Sequence, residues 1–145
     1  MSGQPPLTLL DFYPQEDAKF TRIAPFFANL REGRLTTTKC PKDGSLHWPP
    51  RVSCPNCHSG DLTWIDLPVE GKLYAFSALQ LGLPLGMEKD AGSVVGLVEL
   101  GDSGLRIFSR IVGKKYEELR IGDPVRLETF DLPDGRVFYR FLSKV

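Results

Sequence analysis

The segment CPKDGSLHWPPRVSCPNC, residues 40–57, constrains the fold of this chain more than any other. It holds all three cysteines of the protein, and the last two form a Cys-x-x-Cys turn. Such a turn curls its backbone around a metal ion and directs amides at the two sulfurs. Residues 40–44 repeat the pattern, except that Asp43 occupies the second ligand position. An odd number of clustered cysteines does not suit a disulfide framework, so the segment favours a metal site.

Several interpretations of the fourth ligand stay open from the residues alone. Asp43 can bind through a carboxylate oxygen, because zinc accepts oxygen ligands. His47 or His58 can replace it, although His58 adjoins Cys57 and His47 precedes an extended Trp-Pro-Pro stretch. A site that has lost its metal, and ordinary thiols in a loop, are the remaining alternatives. We favour zinc, with the ligands Cys40, Asp43, Cys54 and Cys57.

The sequence favours a structural ion over a catalytic one. Both histidines of the chain lie in this loop, so no separate general base accompanies the cysteines. The sequence shows neither a nucleophile–base pairing nor a Gly-rich phosphate loop. We therefore expect a zinc ion that stabilises a ribbon too small to form its own core.

The N-terminal third combines irregular chain with helical spacing. Residues 1–14 are rich in Pro and Gly and are expected to lie loosely on the surface. Over residues 15–30 the spacing of apolar positions predicts one helical face, and Pro25 divides it into two short helices. Gly33 is placed to end the second helix. That face covers the core of this chain or docks on a partner. The apolar positions are Phe20, Ile23, Ala24, Phe27 and Leu30.

The remainder of the chain has the pattern of short strands. Strands at 35–39 and 62–67 flank the cysteine segment, which is the layout of a zinc ribbon. Beyond Pro68, strands are predicted at 71–81, 93–100, 105–111, 124–131 and 136–144, with a short helix at 114–120 and a hairpin turn at Leu-Pro-Asp-Gly. Five strands with a helix between the third and fourth are the plan of an OB-fold barrel.

We therefore predict a mainly β protein in three parts. Residues 1–33 form an N-terminal helical segment, 34–68 a rubredoxin-like zinc ribbon, and 69–145 a five-stranded OB-fold barrel. The Gly-rich loop 82–92, which contains Met87, is either a lip over a ligand or an exposed connection.

The charge balance argues against two classes of partner. Lys and Arg total 18, Asp and Glu total 18, and the formal net charge of the 145 residues is zero. No global field therefore attracts the chain to nucleic acid or to an anionic membrane. No apolar run approaches the roughly 20 residues that span a bilayer. The N-terminus lacks the pattern of a signal peptide, so we expect a cytoplasmic protein.

The chain resembles the DUF35 family, in which a rubredoxin-like zinc ribbon precedes an OB-fold associated with acyl-CoA enzymes. The resemblance covers about residues 20 to 145, and its segments occur in the same order. Asp43 departs from the family pattern, which usually has a second cysteine there. The matching segments are PFF (25–27), LREGRL (30–35), Cys40, Gly44, HWPPR (47–51), CPNC (54–57), VVGLVEL (94–100), GLR (104–106) and IGDPV (121–125).

The resemblance implies a non-catalytic partner of acyl-CoA enzymes, such as thiolases, hydroxymethylglutaryl-CoA synthases, hydratases and steroid side-chain aldolases. It implies a scaffold that bridges two enzymes or holds a CoA or acyl-CoA ligand. By charge alone, Arg51, Arg110, Lys114 and Lys115 are candidates for the CoA phosphates, although no contact residue is assigned. The alternatives are a single-stranded nucleic-acid binder, which the charge balance disfavours, and an independent enzyme, for which we find no constellation.

Overall fold

The computed structural model describes residues 13–81, 83 and 92–143 of the chain. Their architecture is mainly β, as predicted, and comprises a two-stranded sheet and a closed five-stranded barrel. Strands β1 (Thr36–Lys39) and β2 (Thr63–Asp66) pair antiparallel, from Thr36 opposite Asp66 to Lys39 opposite Thr63. Cys40 follows β1 directly, so this small sheet carries the cysteine segment at one end.

The barrel strands follow one another in the order β3-β4-β5-β7-β6, and β3 closes the barrel by pairing with β6. All pairs are antiparallel except β5 with β7, where Ile111 lies opposite Phe141. A short 3-10 turn, Tyr116–Glu118, stands where a helix was predicted between the third and fourth barrel strands. The strands are β3 (Glu70–Ala78), β4 (Val94–Glu99), β5 (Arg106–Val112), β6 (Pro124–Asp131) and β7 (Val137–Leu142).

Alternation along the barrel strands places one face of each in the core. In β4, Val94, Gly96 and Val98 are buried while their neighbours are half-buried. Gly96 is required by close strand packing, because a Cβ there would lie 2.7 Å from the carbonyl oxygen of Ala75. The predicted hairpin turn between β6 and β7 is confirmed, with the amide of Gly135 donating to the carbonyl of Leu132 at 2.9 Å.

The prediction of two N-terminal helices is wrong, because the described residues contain one α-helix, α1 (Ala24–Arg31). Pro25 lies in its first turn and Gly33, at φ 79°, follows its end, as predicted. Upstream, the chain makes only isolated turns, and Phe20 is 72% exposed. The spacing of Phe20 therefore reflects no helix. The face of α1 covers this chain's own core, with its buried residues being Phe26, Phe27 and Leu30.

Two predictions fall outside the described residues. They are the loose N-terminal segment up to residue 12, and the Gly-rich loop at residues 82 and 84–91, including Met87. Among the described residues, none of the helices has the length and apolar character needed to cross a bilayer.

A buried carboxylate attaches the N-terminal chain to the barrel. Glu16 has a side chain only 5% exposed, and its Oε1 accepts from the amide of Val137 at 2.9 Å and from the guanidinium of Arg31 at 3.3 Å. Arg136 donates to the carbonyl of Tyr13 at 2.9 Å. Burial raises the pKa of Glu16 above its usual range, and the charge of Asp134 adds to the rise. The Val137 amide and the charges of Arg31 and Arg136 act in the opposite direction but are weaker in total.

This raised pKa predicts a pH dependence of stability. A carboxyl whose pKa is higher in the folded state contributes stability below its unfolded pKa, and that contribution is lost as pH rises through the folded value. We expect the unfolding free energy of the wild type, relative to Glu16→Gln, to fall as pH rises above the ordinary pKa of a glutamic acid. Urea titrations at several pH values measure it, with Glu117→Gln as the exposed control. A difference that grows with pH would show that the ion pair with Arg31 outweighs burial.

Candidate metal centre

The cysteine segment folds into two loops with the same backbone hydrogen bonds. We call them the first loop, CPKDGS (40–45), and the second loop, CPNCHS (54–59). In each, the carbonyl of the first cysteine accepts from the amide four residues later at 2.8 Å. Its own amide donates to the serine carbonyl five residues later, at 3.0 Å in the first loop and 2.9 Å in the second. Asp43 is therefore the structural equivalent of Cys57.

The residue after the second ligand position has left-handed backbone in both loops. Gly44 has φ 74° and His58 has φ 63°. Glycine adopts this region at no steric cost, which agrees with the permissive role predicted for Gly44. His58 occupies the corresponding position in the second loop and does not belong to the donor group.

The two loops bring four potential ligands together. One donor atom from each of Cys40, Asp43, Cys54 and Cys57 lies within 4.8 Å of the other three. The Sγ atoms of Cys40 and Cys57 are 3.5 Å apart, and Cys54 Sγ is 3.3 Å from Asp43 Oδ2. With metal–sulfur bonds of about 2.3 Å and metal–oxygen bonds of about 2.0 Å, a tetrahedral ion separates two sulfurs by about 3.8 Å and a sulfur from an oxygen by about 3.5 Å. The spacing and chemistry of this group therefore fit a four-coordinate zinc site.

Backbone amides bias the charge state of the thiols. The amides of Asp43 and Lys42 favour the Cys40 thiolate, but burial and the neighbouring sulfurs outweigh them and raise the pKa of Cys40. Burial also opposes ionisation of Cys54, but there the amides of Cys57 and Asn56 and nearby polar side chains prevail and lower its pKa. The loop amides therefore favour the thiolate form of Cys54, which is the form in which cysteine binds a metal.

The carboxylate of Asp43 divides its two oxygens between different partners. Oδ1 accepts from the amide of Ser45 at 2.9 Å and from its hydroxyl at 2.6 Å. Oδ2 faces Cys54. The hydroxyl and amide of Ser45 hold the pKa of Asp43 well below its usual range. Asp43 is therefore an anion whose second oxygen is directed at the sulfurs.

His47 lies beside the donor group rather than within it. Its ring is buried, with 4% of the residue exposed. Nδ1 lies 3.2 Å from the hydroxyl of Thr38, and Nε2 lies 3.2 Å from the hydroxyl of Ser45. Both ring nitrogens of His47 therefore lie within hydrogen-bond distance of hydroxyls, and neither belongs to the donor group.

Ser45 was missed in reading the sequence. Its role was detectable in principle, because both loops read Cys-Pro-x-x-x-Ser and the serine therefore belongs to the repeat. In the second loop the Ser59 hydroxyl accepts from the amide of Asp61 at 3.2 Å and contacts no ligand in the described hydrogen bonds. The two equivalent serines thus serve different partners.

The barrel carries a second feature of interest, a groove of about 430 Å³ at the ends of β3, β4 and β5. Three of the four cations proposed for CoA phosphates line it, namely Arg110, Lys114 and Lys115. Lys114 Nζ lies 3.6 Å from Asp123 Oδ2. Arg51 is not among the lining residues, and its amide instead donates to Thr38 in the ribbon at 2.9 Å.

A small antiparallel sheet bearing two metal-binding loops, followed by a closed Greek-key barrel, defines the chain as a zinc-ribbon and OB-fold protein. Family models agree with this class: that of the ChsH2 rubredoxin-like zinc ribbon domain matches residues 27–63, and that of the ChsH2 C-terminal OB-fold domain matches residues 64–130. The chain belongs to the DUF35 family, which confirms the resemblance drawn from its sequence.

Two characterised relatives are similar over most of their length. A DUF35 domain-containing scaffold protein of Methanothermobacter thermautotrophicus is 34% identical over 116 residues, covering 76% of this chain and 85% of the relative. The benzoylsuccinyl-CoA thiolase subunit BbsA of Thauera aromatica is 32% identical over 109 residues, covering 75% of this chain and 72% of that subunit.

Solved structures share the same architecture. The Ltp2-ChsH2(DUF35) aldolase superposes with a TM-score of 0.70 at 27% identity, covering 84% of this chain and 94% of the matched one. A DUF35 family protein of unknown function from Sulfolobus solfataricus has a TM-score of 0.57 at 13% identity, covering 83% of each chain, and supports the fold alone.

Proposed function

We propose that this protein is a non-catalytic accessory subunit of a thiolase-like or other acyl-CoA enzyme, in which it bridges catalytic subunits or holds a CoA-type ligand. One observation carries the proposal. A relative with 32% identity over 109 residues is named as a subunit of benzoylsuccinyl-CoA thiolase, and this name agrees with that of a second relative, at 34% identity, which is called a scaffold protein. The aldolase that contains ChsH2 supports an enzyme complex as the setting.

The proposed role includes a structural zinc ion bound by Cys40, Asp43, Cys54 and Cys57. The spacing of the donor atoms supports it, as does the equivalence of the two loops. When bound, zinc supplies no chemistry beyond a charged cross-link between the loops. The chain itself positions the ligands: backbone amides donate hydrogen bonds to the sulfurs, and the two-stranded sheet holds the loops in register.

A CoA-type ligand would use the cationic groove of the barrel. Phosphates are recognised by Lys and Arg through charge-assisted hydrogen bonds, and Arg110 and Lys115 supply such groups at its wall. Glu117 also lines the groove and disfavours a phosphate close to it. The part of the groove bordered by Ala78 and Val94 can accept a slender chain such as pantetheine.

Zinc binding is tested on full-length protein purified without added metal. Native mass spectrometry is expected to show one zinc ion per chain. Asp43→Ala removes a ligand, so its zinc affinity should fall by more than the about 10–100-fold typical of an outer-shell loss. Asp61→Ala, another ribbon carboxylate outside the donor group, is the control. Unchanged affinity in Asp43→Ala would refute Asp43 as a ligand.

The partner is tested by retaining proteins from extracts of the native organism on the tagged chain. We expect a thiolase-like or related acyl-CoA enzyme in stoichiometric amount, stable in moderate salt. Retention of single-stranded nucleic acid, lost steeply as salt rises, would instead favour the nucleic-acid alternative. Recovery of neither would contradict an accessory role.

The ligand is tested by calorimetry with CoA and with pantetheine. Lys115→Glu should weaken CoA binding at least about tenfold, because hydrogen bonds to charged groups contribute about 1.5–3 kcal/mol. Pantetheine, which has no phosphate, should bind both proteins alike. Lys19→Glu, an exposed charge reversal outside the groove, is the matched control. If the affinities for CoA and pantetheine fall equally in Lys115→Glu, or if neither falls, the groove is not the CoA site.

A further inference from the structure

The first loop contains a directed chain of hydrogen bonds that ends on the carboxylate of Asp43. Ser45 Oγ lies 2.6 Å from Asp43 Oδ1, and an ionised carboxylate can only accept, so the serine hydroxyl donates its one proton there. Ser45 Oγ can then accept from His47 Nε2, 3.2 Å away, and Cys54 Sγ lies 3.7 Å from the same oxygen. In this arrangement Nε2 of His47 carries a proton and Nδ1 can accept a hydrogen bond.

The chain continues with the same direction at its other end. His47 Nδ1 accepts from the hydroxyl of Thr38, which lies 3.2 Å away. The oxygen of Thr38 is in turn free to accept from the amide of Arg51 at 2.9 Å. Each hydroxyl therefore donates once and accepts once, and every proton in the series points toward Asp43. Hydrogen bonds that run in one direction polarise one another cooperatively, and the bond between Thr38 and His47 is the buried part of this series.

We propose that Ser45 and His47 are positioning residues that fix one oxygen of Asp43 so that the other faces the metal. This inference rests on the proposed zinc site, and it assigns the ligand atom as Oδ2. A carboxylate has two equivalent oxygens and a rotatable bond, whereas a thiolate has a single donor atom. An aspartate at this position therefore has two oxygens that can face the metal, where a cysteine has one sulfur. The hydrogen bonds to Oδ1 leave Oδ2 as the oxygen that faces the metal.

Burial supports this role over simple surface packing. The residue His47 is 4% exposed and Thr38 is 2% exposed, so both are withdrawn from solvent. Thr37 donates its hydroxyl to the carbonyl of His47, which fixes the backbone that carries the imidazole. The histidine is therefore immobilised at three points. The equivalent serine of the second loop, Ser59, lacks such a connection in the described hydrogen bonds and bonds Asp61 instead.

The test uses the full chain with Zn²⁺ and Co²⁺ as probes. Ser45→Ala should weaken zinc binding about tenfold, in the lower part of the range for outer-shell partners, because the Ser45 amide still holds Oδ1. The visible spectrum of the Co²⁺ form should change as well, because it depends on donor type and geometry. Ser59→Ala is the matched control and should leave the spectrum unchanged.

A double-mutant cycle separates positioning from a general effect on the loop. With Asp43→Cys, all four ligands are sulfur and no second oxygen needs fixing, so adding Ser45→Ala should change zinc affinity and the Co²⁺ spectrum less than it does beside Asp43. The change that remains reports the contact between the Ser45 hydroxyl and Cys54 Sγ, 3.7 Å apart. An equal loss in both backgrounds would overturn the inference, as would an unchanged spectrum in Ser45→Ala alone. His47→Phe should shift the spectrum as Ser45→Ala does, while His47→Gln, which keeps a polar group toward Ser45, should not.

The outcomes for the site and for its positioning residues are distinct. A wild-type protein that binds one zinc ion while Ser45→Ala behaves identically overturns only the positioning role. A wild-type protein that binds no zinc overturns both, whatever the variants show.

Discussion

The closeness of three sulfurs and a carboxylate between two loops is the constraint on which the ribbon depends. Four groups that can each carry negative charge lie within 4.8 Å of one another. Without a cation, the four groups repel one another when they are ionised. When the thiols are protonated, they lose contact with water and gain only weak hydrogen bonds in return. The sheet beneath them has only four residues in each strand and cannot supply much stabilisation by itself. A divalent ion resolves the conflict, because the same closeness that is unfavourable in its absence is what coordination requires.

Aromatic contacts connect the ribbon to the helix and the barrel. Trp48 follows His47 in the chain and packs edge-on against Phe26 of α1 and against Tyr139 of β7, with ring centroids 5.7 and 6.2 Å apart. Phe26 also contacts Tyr139 at 6.2 Å. Burial of Tyr139 raises its pKa to about 12. The ribbon, α1 and β7 therefore pack against one another through these three rings. This arrangement suits a protein whose proposed task is to hold larger subunits in fixed positions.

Sequence reasoning recovered the features that periodicity and turn chemistry determine. The barrel followed from alternating strands and their glycine-rich turns, and the donor group followed from the spacing of Cys40, Asp43 and the second loop. It failed where the outcome depends on tertiary contacts. The apolar spacing around Phe20 suggested a helix, but no surface receives that side chain and the segment forms only turns. Glu16 gave no signal at all, because its importance arises from Val137, which lies 121 residues away.

The substitution of a carboxylate for a thiolate explains why part of the site was invisible to pattern reading. The two ligands carry the same charge, so the spacing argument holds equally for both. They differ in what surrounds them, since a carboxylate has a second oxygen that accepts hydrogen bonds, and Ser45 donates to that oxygen of Asp43 from its amide and its hydroxyl. The second oxygen of Asp43 thus extends the site from four ligands to Ser45, and the Ser45 hydroxyl extends it to His47. His47 thus belongs to the centre through the hydrogen bond it donates to a hydroxyl, and its buried ring in turn links the geometry of the ligand to the packing of β1.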